Sequence, residues 1–149
     1  MTRTAPNRIK LATYPSVVPV SARYGDVDPL WHINNVAIAQ YFEEGRVSGL
    51  RRMLGGERMP ATIERLLIAH QTIDYLHEAS YPGKLEVGVG MLRIGRSSFT
   101  IGLGLFQGAT CVSVSDAVMV SADASGPARL AEEARDRLEK WLLPVHPAT

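Results

Sequence analysis

Asp26 and Asp28 are the residues of this chain whose type and placement could support catalysis. They lie in a loop at residues 25–32, broken by glycine and by the Asp28-Pro29 pair, directly before a predicted helix. A helix start offers unpaired backbone N–H groups and a partial positive charge, which suit a developing oxyanion. A carboxylate beside it could attack an activated carbonyl or act as a general base on water. Aspartates in loops also shape turns or cap helices, and spacing alone leaves both interpretations open.

The composition indicates a globular protein with no strong charge preference for its partners. Of 149 residues, 46% are hydrophobic, and 16 Lys and Arg against 15 Asp and Glu leave a formal charge of +1. Disorder is not favoured, because it requires low hydrophobicity and high net charge. No nucleic-acid partner is predicted, because such binding requires a strongly basic face. The length fits one domain spanning residues 1–149.

Residues 97–115 carry no charge over 19 positions and therefore require a test against a membrane helix. Their serines, threonines and glycines argue against membrane insertion, and the alternation of apolar residues at 99–105 predicts strands. No long apolar run follows the first basic residues, so no signal peptide is predicted. We therefore expect a soluble, cytoplasmic protein without a membrane partner.

Motifs of several common enzyme classes are missing from the sequence. There is no G-x-S-x-G elbow, no Walker A loop and no H-E-x-x-H pair, and the four histidines lack metal-ligand spacing. The Gly-Val-Gly stretch at 88–90 begins like a dinucleotide fingerprint, but Arg93 replaces the third glycine. Cys111, the single cysteine, stands in an apolar run and is predicted to be a buried, inert thiol. We expect no metal, no cofactor and no serine triad.

The order of predicted elements is a strand, a long helix and then four consecutive strands. The helix runs from an N-cap at Asn34 or Asn35 to Leu54 and ends at Gly55-Gly56. The strands are predicted at residues 17–24, 66–75, 85–94, 98–106 and 110–121, and residues 127–143 form an amphipathic stretch. Because hairpins can join the last four strands, we predict an α+β fold with an antiparallel sheet wrapped around the helix.

Three residues do not fit these patterns and therefore carry information. Gly45 and Gly49 stand inside the helix, where each costs about 1 kcal/mol relative to alanine, so a close approach to the sheet is predicted there. Asp116 interrupts the apolar parity of the last strand and is expected at a bulge, at a strand end or in a solvated place.

The aspartate loop and several later segments resemble a known family. The stretches are RYGDVDPLWHINN at 23–35, YFEEGR at 41–46, IDY at 73–75, PGKLEV at 82–87 and IGRSSF at 94–99. Together they resemble the signature of hotdog-fold acyl-CoA thioesterases of the 4-hydroxybenzoyl-CoA thioesterase family, over roughly residues 18–123. The resemblance implies a hotdog fold and hydrolysis of an acyl-CoA to the free acid and CoA. It also implies a homodimer whose interface holds both active sites, and association of dimers into a homotetramer.

The resemblance assigns roles in the aspartate loop position by position. Asp28 corresponds to the catalytic carboxylate, acting as nucleophile or general base. Asn35 occupies the position whose backbone N–H polarises the thioester carbonyl. Asp26 is expected to support the loop, and His32 and Asn34 to arrange it by hydrogen bonds, although His32 is equally compatible with a packed histidine.

Two further segments bear on the family assignment. Trp31 stands where a glycine is usual, and because tryptophan disfavours a positive φ, the loop path or the acyl pocket is expected to differ. The resemblance places the phosphates of CoA at Arg93, Arg96, Ser97 and Ser98. Two arginines with two hydroxyls suit an anion, but exposed turn residues would have the same composition.

Glu43 and Glu44 need consideration because another branch of hotdog thioesterases places its catalytic glutamate on the central helix. They follow Asn35 by eight and nine positions, about 12–14 Å along the axis, too far to share a carbonyl with the helix start. We interpret them as structural or interface residues, with Arg46 as a neighbour of Glu43.

Two other functions of the same fold stay open from the sequence. One is a hotdog protein that binds an acyl thioester without hydrolysing it, as a sensor or as a carrier-protein partner. The other is a hotdog dehydratase, which needs a histidine and an acid in the site, with His32 as the local candidate. The sequence does not distinguish aromatic, short or long acyl groups, or CoA from acyl carrier protein.

Overall fold

An antiparallel sheet curled around one long helix forms the body of the protein. The computed structural model describes residues 4–56 and 65–144. Its strands are β1 Ser16–Ser21, β2 Arg65–Tyr75, β3 Lys84–Ile94, β4 Ser98–Gln107, β5 Thr110–Asp123 and β6 Gly126–Pro127, and its α-helices are α1 Asn35–Met53 and α2 Glu132–Glu139. The strands are joined in the order β1-β3-β4-β5-β2, with β6 paired to β5. The predicted α+β hotdog architecture is confirmed.

Most predicted boundaries agree with the structure to within two residues, and two elements are shorter than predicted. β1 ends at Ser21, because Tyr24–Asp26 turns into a short 3-10 helix. The helix in the C-terminal stretch is limited to Glu132–Glu139, because Gly126–Pro127 pairs with β5. Residues of this stretch still cover the core, since Leu130, Ala134 and Leu138 are buried.

α1 packs across β1, β3 and β4, and its two interior glycines make this contact possible. A Cβ atom on Gly45 would lie 2.5 Å from Cγ1 of Val87, and one on Gly49 would lie 2.8 Å from Cγ1 of Val89. Such separations are shorter than van der Waals contact, so only glycine lets the helix lie this close to the sheet. The predicted close approach is confirmed.

The face of the sheet opposite α1 is covered by the N-terminal segment and centred on Arg8. This buried guanidinium donates to the carbonyls of Leu103 and Ser115 at 3.3 and 3.1 Å and pairs with Asp116 at 2.8 Å. Asp116 lies in regular register between Gly102 and Thr72, so it marks neither a bulge nor a strand end. Its side chain is 46% exposed, which agrees with the remaining alternative, a solvated position within the strand.

Cys111 lies in the same outer layer and has the inert character expected of it. The residue is 5% exposed, and burial raises the pKa of its thiol to about 11. The thiolate, which is the reactive form, is therefore scarce at neutral pH.

Candidate functional site

The carboxylate of Asp28 closes a tight turn. Its Oδ1 atom accepts hydrogen bonds from the backbone N–H groups of Leu30 at 2.8 Å and His32 at 3.0 Å. The backbone N–H of Asp28 donates to the carbonyl of His32 at 2.8 Å. Oδ2 has no donor within residues 4–56 and 65–144, so one oxygen anchors the carboxylate while the other can act on a ligand.

Trp31 adopts a backbone conformation that tryptophan rarely takes. Its φ is +66°, in the left-handed region, so the tryptophan side chain does not keep this position out of a positive φ. The hydrogen bonds of the turn hold this conformation. The N–H of Trp31 donates to the carbonyl of Asp28 at 3.0 Å, and the N–H and carbonyl of His32 are both hydrogen-bonded to Asp28. The indole ring itself is 63% exposed.

Two aromatic residues, Tyr24 and Trp31, line a hollow beside Asp28. Tyr24 meets Trp31 edge to face with ring centroids 6.4 Å apart, and it meets Tyr81 in the same way at 6.3 Å. A hollow of about 310 Å³ is lined by Tyr24, Val27, Asp28, Pro29 and Trp31. The free carboxylate edge thus stands beside a concave surface of mixed polar and apolar character, which suits a ligand that combines apolar parts with a reactive polar group.

Asp26 is buried and holds the loop to the helix. Its Oδ2 accepts from the Tyr41 hydroxyl at 2.6 Å and from the backbone N–H of Arg23 at 3.0 Å, and its Oδ1 accepts from the Arg23 guanidinium at 3.0 Å. Burial alone would raise the pKa of Asp26, but the hydrogen bonds from Tyr41 and Arg23 outweigh burial and hold the pKa below its usual range. Both of its oxygens are therefore occupied, which fits the supporting role expected of it.

The helix start lies directly after this turn. Asn34 is the N-cap, because its Oδ1 accepts from the backbone N–H of Ala37 at 2.8 Å, and Asn35 is the first helical residue. The backbone N–H of Asn34 donates to the carbonyl of Asp26 at 2.8 Å, which ties the cap to the loop. Among the described residues, the N–H groups of Asn35 and Val36 have no protein acceptor, so they are open to an oxyanion.

His32 contributes through both its backbone and its ring. The backbone fixes Asp28, and the ring atom Nε2 lies 3.1 Å from Oε2 of Glu78. The segment before β3 is also tied to the loop, because the N–H of Ile33 donates to the carbonyl of Ala79 at 2.9 Å. Asp26, Asp28, His32, Asn34 and Asn35 are thus brought together, as the sequence predicted.

The four residues expected to bind CoA phosphates lie elsewhere in the chain. β3 starts near the loop, whose His32 forms a β-bridge with Ser80, and Arg93 comes nine residues after Lys84, about 30 Å along the strand. Arg93 and Arg96 are exposed, and Ser97 and Ser98 are half-buried in the turn that joins β3 to β4. A single chain therefore does not bring Arg93, Arg96, Ser97 and Ser98 next to Asp28.

Four site residues were not assigned a role by the sequence reasoning. These are Tyr24, Tyr41, Glu78 and Tyr81, which contact Trp31, Asp26, His32 and Tyr24, respectively. Tyr24 lies inside the aspartate motif at 23–35, so its presence at the site could have been predicted from the sequence. Tyr41 reaches Asp26 from two helical turns beyond the helix start, and Glu78 and Tyr81 follow another strand, so these contacts depend on tertiary structure.

Neither a metal cluster nor a membrane helix is found in the described ranges. No group of three or more His, Cys, Asp or Glu side chains there is placed to hold a metal ion. The helices of the same ranges are too short or too polar to cross a bilayer. His146, one of the four histidines of the sequence, lies outside these residues.

The sheet wrapped around α1 and the carboxylate-bearing loop at the helix start together define a hotdog-fold protein. Solved structures have the same fold. The PA5185 protein of Pseudomonas aeruginosa strain PAO1 superposes on this chain with a TM-score of 0.80 at 24% identity, and the match covers 92% of this chain and 98% of that one. A thioesterase of Thermus thermophilus, solved with coenzyme A and Zn, has a TM-score of 0.76 at 27% identity, covering 87% and 95% of the two chains.

Sequence comparison gives the family. A model described as the Thioesterase-like superfamily matches residues 22–142, and this chain belongs to that superfamily. The uncharacterized protein YsmA of Bacillus subtilis (strain 168) is 32% identical over 84 residues, which are 55% of this chain and 54% of YsmA. The chain therefore spans about half the length of this curated relative.

Proposed function

We propose that this protein hydrolyses acyl-CoA thioesters, as a member of the 4-hydroxybenzoyl-CoA thioesterase family, with Asp28 as its catalytic carboxylate. One observation carries the proposal. Asp28 is anchored through Oδ1, its Oδ2 has no donor in the described part of the chain, and it stands in the turn that leads to the open N–H groups of Asn35 and Val36. A carboxylate and an oxyanion site at one helix start are the two groups that attack on a thioester carbonyl requires.

Two routes through this site balance chemically. In the first, Oδ2 of Asp28 attacks the carbonyl carbon, CoA leaves as the thiolate, and water then hydrolyses the mixed anhydride. In the second, Asp28 takes a proton from water as the water attacks, and the tetrahedral intermediate collapses with loss of the CoA thiolate. In both routes the N–H group of Asn35 stabilises the oxyanion, and the product is the free acid.

The choice of acyl-CoA as substrate rests on the family and on one relative. The Thermus thermophilus thioesterase, which is 27% identical to this chain, was solved with coenzyme A. The hollow beside Asp28, with Tyr24, Val27, Pro29 and Trp31 on its walls, supplies apolar surface for part of the substrate.

The direct test is release of thiol from acyl-CoA by the purified protein. A panel of aromatic, short-chain and long-chain acyl-CoAs, each measured against buffer alone, should contain at least one substrate hydrolysed in a protein-dependent way. If no compound of the panel releases thiol although the protein binds them, the proposal of hydrolysis is wrong. The protein would then bind acyl thioesters without hydrolysing them.

We also propose that the protein is a homodimer joined through β2, with homotetramers formed from dimers. β2 ends the strand order, so one of its edges has no partner strand among the described residues. It also exposes Leu67, Ile68 and Tyr75, each by more than two-fifths. An unpaired apolar edge is a template for another strand, and antiparallel pairing of two β2 strands would cover it.

Such a dimer would bring the turn between β3 and β4 of one subunit to the Asp28 site of the other. A two-fold axis across paired β2 strands reverses one sheet relative to the other, so the β3–β4 turn of one subunit approaches the helix start of its partner. Arg93, Arg96, Ser97 and Ser98 would then bind the CoA phosphates of the neighbouring subunit's substrate. The position of Arg93 near the far end of β3, about 30 Å along the strand from Lys84, supports this arrangement.

A second function has one specific observation in its favour. The ring of His32 lies 3.1 Å from the carboxylate of Glu78, which is the histidine–acid pair a hotdog dehydratase needs. Incubation with a 3-hydroxyacyl-CoA, followed for formation of the enoyl product, distinguishes it from hydrolysis. Enoyl product that disappears in His32→Ala would favour the dehydratase.

A further inference from the structure

Among the described residues, the guanidinium of Arg46 holds the one buried side-chain polar atom that has no hydrogen-bond partner. Arg46 is 8% exposed, and its Nη1 atom is buried without a hydrogen-bond partner. No carboxylate of the described residues lies within 4.0 Å of it, so the expected contact with Glu43 is not an ion pair within the chain. An unpaired buried charge is costly, and the cost falls when an acid reaches it.

A hollow lies beside this guanidinium and can admit an acid. It has a volume of about 300 Å³ and is lined by Arg46, Val47, Leu50, Arg51, Leu66, Ile68 and Met119. Its walls come from α1, β2 and β5, and they are apolar except for the two arginines. A ligand for this hollow therefore combines apolar contact with a carboxylate.

The stripe of α1 along the hollow has a self-complementary charge pattern. Arg46 and Val47 follow Glu43 by three and four residues, and Leu50 follows Arg46 by four, so these residues share one side of the helix. Glu43 is exposed and lies on the N-terminal side of Arg46, and Val47, directly after Arg46, is 40% exposed. Two such stripes facing each other in opposite directions would place each glutamate opposite an arginine.

We propose that a second copy of this chain fills the hollow, with Glu43 of each subunit paired to Arg46 of the other. The inference rests on the proposed β2 dimer, because pairing through β2 puts both α1 helices on the same side of the joined sheet, running in opposite directions. The exposed apolar residue Ile68 connects the two surfaces, since it lies on β2 and also lines the hollow.

The test uses charge reversal on full-length protein and analytical ultracentrifugation. Glu43→Arg and Arg46→Glu should each raise the dimer dissociation constant at least about 30-fold, because like charges replace both symmetry-related pairs. An equimolar mixture of the two variants should restore dimers, since each Glu43→Arg chain then meets a partner with glutamate at both positions. A contact within one chain would not be repaired by mixing.

Glu44→Arg is the matched control, because Glu44 is also exposed but lies about 100° around the helix from Glu43. It should dimerise like the wild type. Circular dichroism identifies an Arg46→Glu chain that does not fold, and the Glu43→Arg variant, changed at an exposed position, then decides alone.

The outcomes separate this pairing from the proposals it rests on. A wild-type dimer that Glu43→Arg leaves intact overturns the Glu43–Arg46 pairing and leaves the β2 dimer standing. A wild-type monomer at micromolar concentration overturns both. Thiol release measured on the wild type tests hydrolysis separately, because it does not depend on which helix residues meet.

Discussion

At the scale of single residues, the two aspartates of the loop divide the work. Asp28 keeps one carboxylate oxygen without a donor among the described residues, beside a hollow, whereas the oxygens of Asp26 are bonded to Tyr41 and Arg23. In the proposed mechanism the same side-chain type would serve reaction at one position and support at the other, because the hydrogen-bond environment differs. This division gives a paired prediction.

Asp28→Asn should lower kcat for acyl-CoA by at least about 10²-fold, since it removes the charge that attack or base catalysis needs. Its melting temperature and dimerisation should stay near those of the wild type. Asp26→Asn should cost much less in rate and more in stability, because it weakens a buried hydrogen-bonded network. Thiol release and thermal unfolding measure both effects, and an active Asp28→Asn or an inactive, folded Asp26→Asn would reverse the assignment.

Trp31 allows the strain in the same turn to be measured. At φ +66° a residue with a side chain is strained and glycine is not. The free energy of unfolding of Trp31→Gly should therefore be about 1 kcal/mol higher than that of Trp31→Ala. Both variants lose the indole ring, so their difference isolates the backbone. Equal unfolding free energies in chemical denaturation would mean that the turn relaxes when the ring is removed.

At the scale of elements, the close approach of α1 to β3 fixes the position of the helix start. The two elements touch through glycine on one side and valine on the other, at Gly45–Val87 and Gly49–Val89. A helix held this close to the sheet cannot shift without moving Asn35 and the loop before it.

Gly45→Ala should lower the free energy of unfolding by about 1–3 kcal/mol, although alanine favours helix, because its Cβ would meet Val87 at 2.5 Å. The same change combined with Val87→Ala should cost less than the sum of the two single changes, as expected for residues in contact. Gly56→Ala, which meets nothing within 4 Å, is the control in the same urea titrations. Additive costs would contradict the steric explanation.

At the scale of the whole molecule, the proposed site needs two chains. The loop with Asp28 and the β3–β4 turn lie at opposite ends of β3, and in the proposed dimer a two-fold axis perpendicular to the paired β2 strands would bring one of each together. Substrate binding and assembly would therefore depend on the same edge strand.

Replacing both Arg93 and Arg96 by alanine should raise KM for acyl-CoA and leave kcat unchanged, which is the signature of lost uniform binding. A short acyl thioester without the nucleotide should be hydrolysed at the wild-type rate, because it has no phosphates to bind. Steady-state kinetics on the two substrates make the comparison. Equal losses on both would return the arginines to a structural role.

The sequence by itself determined the elements and the loop. Alternation and helical spacing depend on neighbours a few residues apart, so the strands, α1 and the need for Gly45 beside the sheet could be predicted locally. The aspartate motif is contiguous, and the turn at Asp28 and the cap at Asn34 are made by hydrogen bonds between residues at most four positions apart. These features needed no knowledge of the rest of the chain.

Only the tertiary structure decided the contacts between distant segments. Asp116 is paired with Arg8 from 108 positions away and Asp26 with Tyr41 from 15, and Nη1 of Arg46 has no hydrogen-bond partner among the described residues. The sheet also placed Arg93 near the end of β3 that lies away from the Asp28 loop. The hydrogen bonds of the turn hold Trp31 at a positive φ that its side chain disfavours. Long-range packing sets these features, because it can outweigh the local preferences of a residue by a few kcal/mol.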